Sequence, residues 1–461
     1  MIEPRRPSHP GEPGIGPDLA PPFTAEDEAT RWLFSLNRRG IRPGLVRIEG
    51  VLADVGHPER RLTTLVTAGT NGKGSTTRIL GRLLQAAGLK VATYTSPHLL
   101  RVYERLTIDD RPVDPAWFAR TVEATREAIE RHEASWFESL TAVAVQIAAE
   151  AEVDVLCAET GLGGRLDATN ALPAAATLLT TVDLDHQHIL GETREEILAE
   201  KLGLLEPGTP FFGAIDAALR PQAFAAAVTA GSPAHFLDEL TRIEDHDDHW
   251  RLVLRDRAID GLPFMGSAAM QRNAALALLC LDTLALGGVV PPVPDPAAAL
   301  ADLFLPGRMH TVLTAPDVVV DTGHNAQALV GTLETFLARP VGGRRIVILG
   351  GMRDKPVPRE LGPLLARCDA VTLAPVSLPR SRDAADLADL WEFLELPPRS
   401  EHSIMDSVAD ALSYWGPRLQ PDDAVLATGS CFLVAELLHR LGVRDLEQTR
   451  RPRPAASALP G

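Results

Sequence analysis

Gly69-Thr70-Asn71-Gly72-Lys73-Gly74-Ser75-Thr76 is the stretch on which the fold turns. It follows an apolar run at residues 62–68. After it, Ile79, Leu80, Leu83 and Leu84 keep helical spacing up to a stop near Gly88. Strand, glycine-rich turn and helix together let backbone N–H groups and a helix N-terminus meet phosphate oxygens, with Lys73 neutralising the β/γ charge. Gly74 interrupts the usual Gly-Lys-Ser/Thr spacing, so the standard motif is not matched. A lysine at this point of a lysine-poor chain still reads as a nucleoside triphosphate site, held by Thr70, Asn71, Gly72, Lys73, Gly74 and Ser75.

Further short apolar runs lie at 153–159, 178–183, 318–321, 345–350, 370–374 and 424–428. Helical patterns follow most of them, which predicts α/β domains on mostly parallel sheets. The chain then divides into a larger N-terminal domain that carries the glycine-rich loop and a smaller C-terminal domain. The segment GGVVPPVPDP (287–296) is the best linker. The expected division is 25–292 and 293–446, with Pro- and Gly-rich disordered tails at 1–24 and 447–461. Several strands end in polar clusters: GTNGKGSTT, TGLGGRLDATN, LDHQH, TGHN and GSC. Ligands gather at the carboxyl ends of such strands, which predicts a cleft between the halves.

The formal charge of -16 disfavours nucleic-acid or anionic-membrane partners. No apolar run approaches the roughly 20 residues of a membrane span. Four scattered cysteines argue for a reducing cytoplasm rather than a disulfide framework. Of 45 basic residues only Lys73, Lys90, Lys201 and Lys355 are lysine. Arginine has replaced lysine wherever a cation alone suffices, so the survivors are candidates for work arginine cannot do.

Ser96, Glu159 and His186 each sit at or just after a predicted strand end. A hydroxyl, a carboxylate and an imidazole can share a Mg²⁺ that bridges nucleotide phosphates, with Asp183, Asp185 and His188 as close competitors. Lys201 ends a helix opened by the capping box Thr193-x-x-Glu196, where a lysine ordinarily just complements the helix C-terminus.

GTNGKGST, SPHL, FESLTA (137–142), ETGLGGRLDATN (159–170), DLDHQHILG with EKLG (183–203), LPGR (305–308), DTGHN (321–325), GGMRDK (350–355) and TGS (428–430) occur in one order. In that order the chain resembles the folylpolyglutamate synthase / dihydrofolate synthase family of the Mur ligase group, over roughly residues 31 to 440. The resemblance implies an N-terminal P-loop ATPase domain on a mostly parallel sheet, a C-terminal doubly wound α/β glutamate-ligase domain, and an ATP-dependent ligase that adds L-glutamate to a pterin acid through an acyl phosphate. Gly72, Lys73, Gly74 and Ser75 would hold ATP phosphates. Asn273, Arg308 and Asp321 would grip ATP from the C-terminal side. Ser96, Glu159 and His186 look like the family's Mg²⁺ ligands. Lys201 falls where the family carries a carbamylated lysine that helps hold a second Mg²⁺. Phe137, Leu166, Asp167 and Asn170 line up with the pterin side, and His324 and Ser430 with the glutamate pocket. Lys73, Lys201, His186 and His324 are thus the catalytic candidates.

The family commonly reads Asp-x-Ala-His-Asn-Pro where this chain has Asp321-Thr322-Gly323-His324-Asn325-Ala326. That departure bears on the glutamate pocket. Two other readings stay open: a Mur-type ligase acting on a UDP-linked cell-wall precursor, and a non-ligase P-loop ATPase. The expected partners are ATP, L-glutamate and the pterin acid, and the family-based expectation is a monomer.

Overall fold

The computed structural model describes residues 27–397 and 403–454. The expected tail at 1–24 lies outside the described residues. The second expected tail does not hold for 447–454. Leu446–Thr449 forms a 3₁₀ turn and Arg453–Pro454 pairs with the strand His310–Thr314. Buried Leu446 and the bond between His310 Nε2 and the Thr449 carbonyl (3.3 Å) anchor it, which proline-rich composition alone did not signal.

The apolar run at 62–68 becomes the strand Thr63–Ala68. Val155–Glu159 and Ala174–Leu179 flank it, both parallel. These three are central in an eight-stranded sheet. Leu65, Val66, Leu156, Cys157, Ala158 and Leu178 are all buried, as a sheet covered on both faces requires. The helix Lys73–Ala86 packs Ile79, Leu80, Leu83 and Leu84 against one face.

One strand is displaced from the sequence expectation. The run at 178–183 leaves the sheet after Leu179, and the paired strand begins earlier, at Ala174. The cause is the phosphate loop. Thr180 Oγ1 and Thr181 Oγ1 donate to the Asn71 carbonyl, at 2.6 and 3.2 Å, and Asp183 N donates to Thr70 Oγ1 at 3.0 Å. After a last ladder bond from Thr180 N to the Ala68 carbonyl (3.0 Å), residues 180–183 turn to the loop rather than continue beside a neighbouring strand.

The second half is a seven-stranded sheet. Its strand Ala424–Thr428 lies between Asp317–Val320 and Arg345–Leu349, parallel to both. Residues 321–325 and 429–430 therefore emerge side by side at the carboxyl end of the sheet, where Gly429 N donates to the Gly323 carbonyl at 3.1 Å. The mixed α/β class is the one expected. After the linker segment, the helix Pro296–Ala301 buries Ala299 and Leu300 in the core that also holds Ile79 and Leu83. The chain thus returns to the first sheet's core after residue 292 and before crossing over. In the opposite sense, Leu99 and Leu100 of the SPHL loop join the core of the second half. Among the described residues no helix is long and apolar enough to cross a membrane.

Candidate active site

The phosphate loop sits at the carboxyl end of Thr63–Ala68. Gly72 caps the following helix at φ 87°, and a Cβ there would stand 2.6 Å from Asn273 Oδ1. Gly74 faces the other way, and a Cβ there would stand 2.9 Å from Glu159 Oε2. Glycine at these two points lets a carboxamide and a carboxylate touch the loop backbone. Replacing Gly74 by Ala must push the Glu159 carboxylate aside. The expected result is about a tenfold higher KM for MgATP, equivalent to ~1.4 kcal/mol, with the fold intact. An unchanged KM by steady-state kinetics would show that Glu159 has room to move freely.

Lys73 Nζ donates to the carbonyls of Gly69 (3.0 Å) and Thr70 (3.2 Å). Lys201 is 4% exposed, and its Nζ donates to that same Gly69 carbonyl at 3.2 Å. Burial, and then the nearby charge of Lys73, bring the Lys201 amine down to about 7. The capping box Thr193/Glu196 does open its helix, Arg194–Leu202. The amine, however, turns inward rather than to solvent at the helix end.

Glu159 is 4% exposed, and its Oε2 accepts from Ser96 N at 2.7 Å. Burial raises its pKa, while Lys73, the Ser96 N–H, Arg308 and Arg105 oppose the rise. No cation lies within ion-pair distance of this carboxylate among the described residues. His186 adopts a left-handed backbone at φ 51°. Burial, and then Lys355, lower it to about 4, so it is a neutral imidazole near pH 7. Its neighbour Asp185 is tied to Lys355 Nζ at 2.5 Å. Burial pushes the Asp185 carboxyl up, but Lys355, His186 and His324 hold it well below the usual range.

The two halves meet here. Asn71 of the phosphate loop and Asn325 of DTGHN exchange reciprocal amide bonds, at 2.8 and 3.3 Å. Asn71 also donates to Gln327 Oε1 at 2.7 Å. The charge of Arg308 reaches Glu159 in the first half and His324 and Cys431 in the second. His324 Nδ1 lies 3.0 Å from the Thr322 carbonyl. Ser430 caps the helix Cys431–Arg440 by accepting from Phe432 N at 3.1 Å.

Other expected residues do different local work. Asn273 lies on the helix Ala268–Leu286 of the first half, against Gly72. The expectation that it reaches the nucleotide from the C-terminal side is therefore corrected, because this helix packs on the first sheet's core. Asp321 accepts from Gly323 N, Thr332 Oγ1 and Met309 N, each at 2.8 Å, and so brackets the segment carrying Arg308. Thr332 Oγ1 stands 3.0 Å from where a Gly323 Cβ would be, so its hydroxyl closes the space left by the missing alanine. Asp167 caps a 3₁₀ turn through Thr169 N (3.0 Å) and ties the glycine loop through Leu162 N (2.8 Å). Asn170 clamps the same loop through the Arg165 and Gly203 carbonyls. Leu166 is half-buried. The Phe137 ring lies over Gly161, with Tyr94 at 6.0 Å between centroids. Lys90, by contrast, donates to the Ala151 carbonyl and has no part in the cleft.

Sequence reasoning missed Arg105. It is 7% exposed, and its charge acts on Glu159 and Cys431. No carboxylate lies within ion-pair distance of it among the described residues. A cation placed so deep needs an anion. The signal available was its place nine residues after Ser96.

Residues 307–431 match the Mur ligase glutamate ligase domain family. The chain is 30% identical over 438 residues to the dihydrofolate synthase/folylpolyglutamate synthase of Bacillus subtilis, covering 91% of this chain and 100% of that protein. It is also 30% identical to the Escherichia coli enzyme of the same name, covering 90% and 94%. The solved structure of Escherichia coli FolC with DHPP and ADP superposes with a TM-score of 0.80 at 29% identity, covering 91% and 99%. The Yersinia pestis bifunctional enzyme with AMPPNP and Mn gives 0.79 at 28%, covering 90% and 98%. With this agreement in order, coverage and fold, the chain belongs to the dihydrofolate synthase/folylpolyglutamate synthase family.

Proposed function

We propose that this enzyme uses ATP to join L-glutamate to dihydropteroate, to tetrahydrofolate or to both, through an acyl phosphate. The observation that carries the reading is the reciprocal Asn71–Asn325 contact. It sets a phosphate loop from one sheet against a second-substrate turn from the other, as a two-step ligation needs.

The pterin-acid carboxylate attacks the γ-phosphorus. An O–P bond forms, the β–γ bridge breaks and ADP leaves. The glutamate amine then attacks the acyl carbon, loses its proton and expels inorganic phosphate. Carboxylates are poor electrophiles because oxide would have to leave, and phosphorylation supplies a leaving group. Lys73 and Arg308 offset phosphate charge from opposite sides. Asp321 holds the Arg308 segment, while Asn273 and Glu159 shape the loop from the first half. Arg105 meets the acceptor carboxylate beside Phe137, and Leu166, Asp167 and Asn170 set the loop around the pterin. His324 and Ser430 receive glutamate. Ser96, Glu159 and His186 would hold Mg²⁺, which supplies charge neutralisation between phosphates. The buried Glu159 carboxylate, with no ion-pair partner among the described residues, is what fits a divalent cation. Lys201, as a carbamate, would add a second anionic oxygen donor. The four cysteines are free, in keeping with a cytoplasmic setting.

Phosphate release with MgATP and L-glutamate, compared between dihydropteroate and tetrahydrofolate, tests the reading. Turnover with one names the activity, and turnover with both shows one bifunctional site. If neither raises the rate, the folate assignment falls. Arg308→Ala is expected to lower kcat about a hundredfold, with a melting shift of about 2 °C or less. Matching losses of activity and stability would make Arg308 structural. Because glutamate reacts as the neutral amine, the chemical step is expected to quicken from pH 7 to 9. A flat single-turnover profile would count against this.

A further inference from the structure

Arg105 closes the 3₁₀ turn Val102–Arg105, after the SPHL loop. Its Nε donates to His98 Nδ1 at 2.9 Å. Its Cζ lies 4.5 Å from the Trp136 ring centroid. An arginine Nε always carries its proton, so His98 Nδ1 must be the acceptor, and the imidazole proton sits on Nε2. His98 is itself clamped. Phe34 meets it edge-on at 6.0 Å and stacks on Trp136 at 6.0 Å, and His98 and Trp136 lie 6.4 Å apart. The stack holds the plane of the guanidinium, and the hydrogen bond stops it turning within that plane. The Nη hydrogens make no other hydrogen bond among the described residues, so they are left for a ligand. Trp136 immediately precedes Phe137, so the clamp also ties Arg105 to the aromatic side of the cleft.

We propose that His98 and Trp136 are positioning residues that fix the Arg105 guanidinium for the acceptor carboxylate, His98 through the lone pair of Nδ1. This rests on the ligase reading, and on Arg105 as the cation that meets that carboxylate. Lining up a carboxylate with the γ-phosphate demands a fixed fork. A swivelling guanidinium binds the acid but not in line.

Two near-isosteres separate this role from packing. Asparagine places its Oδ1 where Nδ1 stood, whereas glutamine places its polar end where Nε2 stood. Steady-state kinetics are run on the full chain with whichever acceptor the wild type turns over. His98→Asn is expected to keep the acceptor KM within about threefold. His98→Gln and His98→Leu are expected to raise it about tenfold or more, the cost of a lost charge-assisted bond. The KM for MgATP should stay within about twofold in all three. Trp136→Leu should raise the acceptor KM in the same direction, and Trp136→Phe less. Equal acceptor KM values for His98→Asn and His98→Gln would overturn the proposal, as would equal increases for both substrates. If Arg105→Ala leaves the acceptor KM unchanged, the clamp serves no carboxylate and the proposal falls with that assignment. Failure of the ligase reading itself would show earlier and separately, as no acceptor-dependent turnover by the wild type.

Discussion

Lys73→Ala is expected to lower kcat by about 10²–10⁴-fold while leaving the fold intact. The lysine arches back over its own loop, and its two hydrogen bonds go to the backbone carbonyls of Gly69 and Thr70. Each such bond is worth roughly 1 kcal/mol net, so its loss is a small part of domain stability. The catalytic cost is larger because negative charge on the transferring phosphoryl must be met at a fixed point, out of bulk water. Lys73→Arg is expected to fail as well. A planar fork does not replace a compact ammonium in a loop whose Gly72 and Gly74 already touch Asn273 and Glu159. Phosphate release and a thermal melt on the same preparations decide the matter. Activity within tenfold of wild type would remove Lys73 from the reaction.

The second large effect is expected at Lys201. Carbamate formation joins the neutral amine to CO₂ and releases one proton. Burial and the adjacent Lys73 charge bring this amine to about 7, so its neutral fraction grows as pH rises through that value. Arginine cannot form the carbamate. Lys201→Arg and Lys201→Ala are therefore both expected to lose about a hundredfold or more in kcat. A short carboxylic acid is expected to restore part of the loss in Lys201→Ala, because it refills the vacated space with a carboxylate. Wild-type enzyme depleted of CO₂ should slow and recover with bicarbonate, and ¹³C-labelled bicarbonate should give a carbamate resonance that Lys201→Arg lacks. Full activity in CO₂-free buffer, with no such resonance, would leave Lys201 as a plain buried amine on the Gly69 carbonyl.

Much of this was written in the sequence because it is local. The order of strand, GTNGKGST and amphipathic helix dictates a phosphate loop, since glycine placement and helix start act within ten residues. Apolar runs followed by helical patterns dictate an α/β class, since burial on both faces demands near-continuous hydrophobicity. The scarcity of lysine picked out Lys73 and Lys201, which share one carbonyl, and Lys355, which crosses to Asp185. It also picked out Lys90, whose partner is a remote backbone oxygen.

What only the tertiary structure decided were relations between distant segments. No local pattern says that Thr180 and Thr181 desert their strand to hold the Asn71 carbonyl. None says that Asn273 packs on Gly72 from the first half, or that Asp321 spends its oxygens on Met309, Gly323 and Thr332. The unpaired depth of Arg105, its clamp by His98 and Trp136, and the ordering of residues 447–454 belong to the same class. Each depends on which surfaces meet after the two sheets have formed. Secondary structure follows from spacing along the chain, whereas the pairing of buried charges follows from the spatial order of strands and the packing of the two halves.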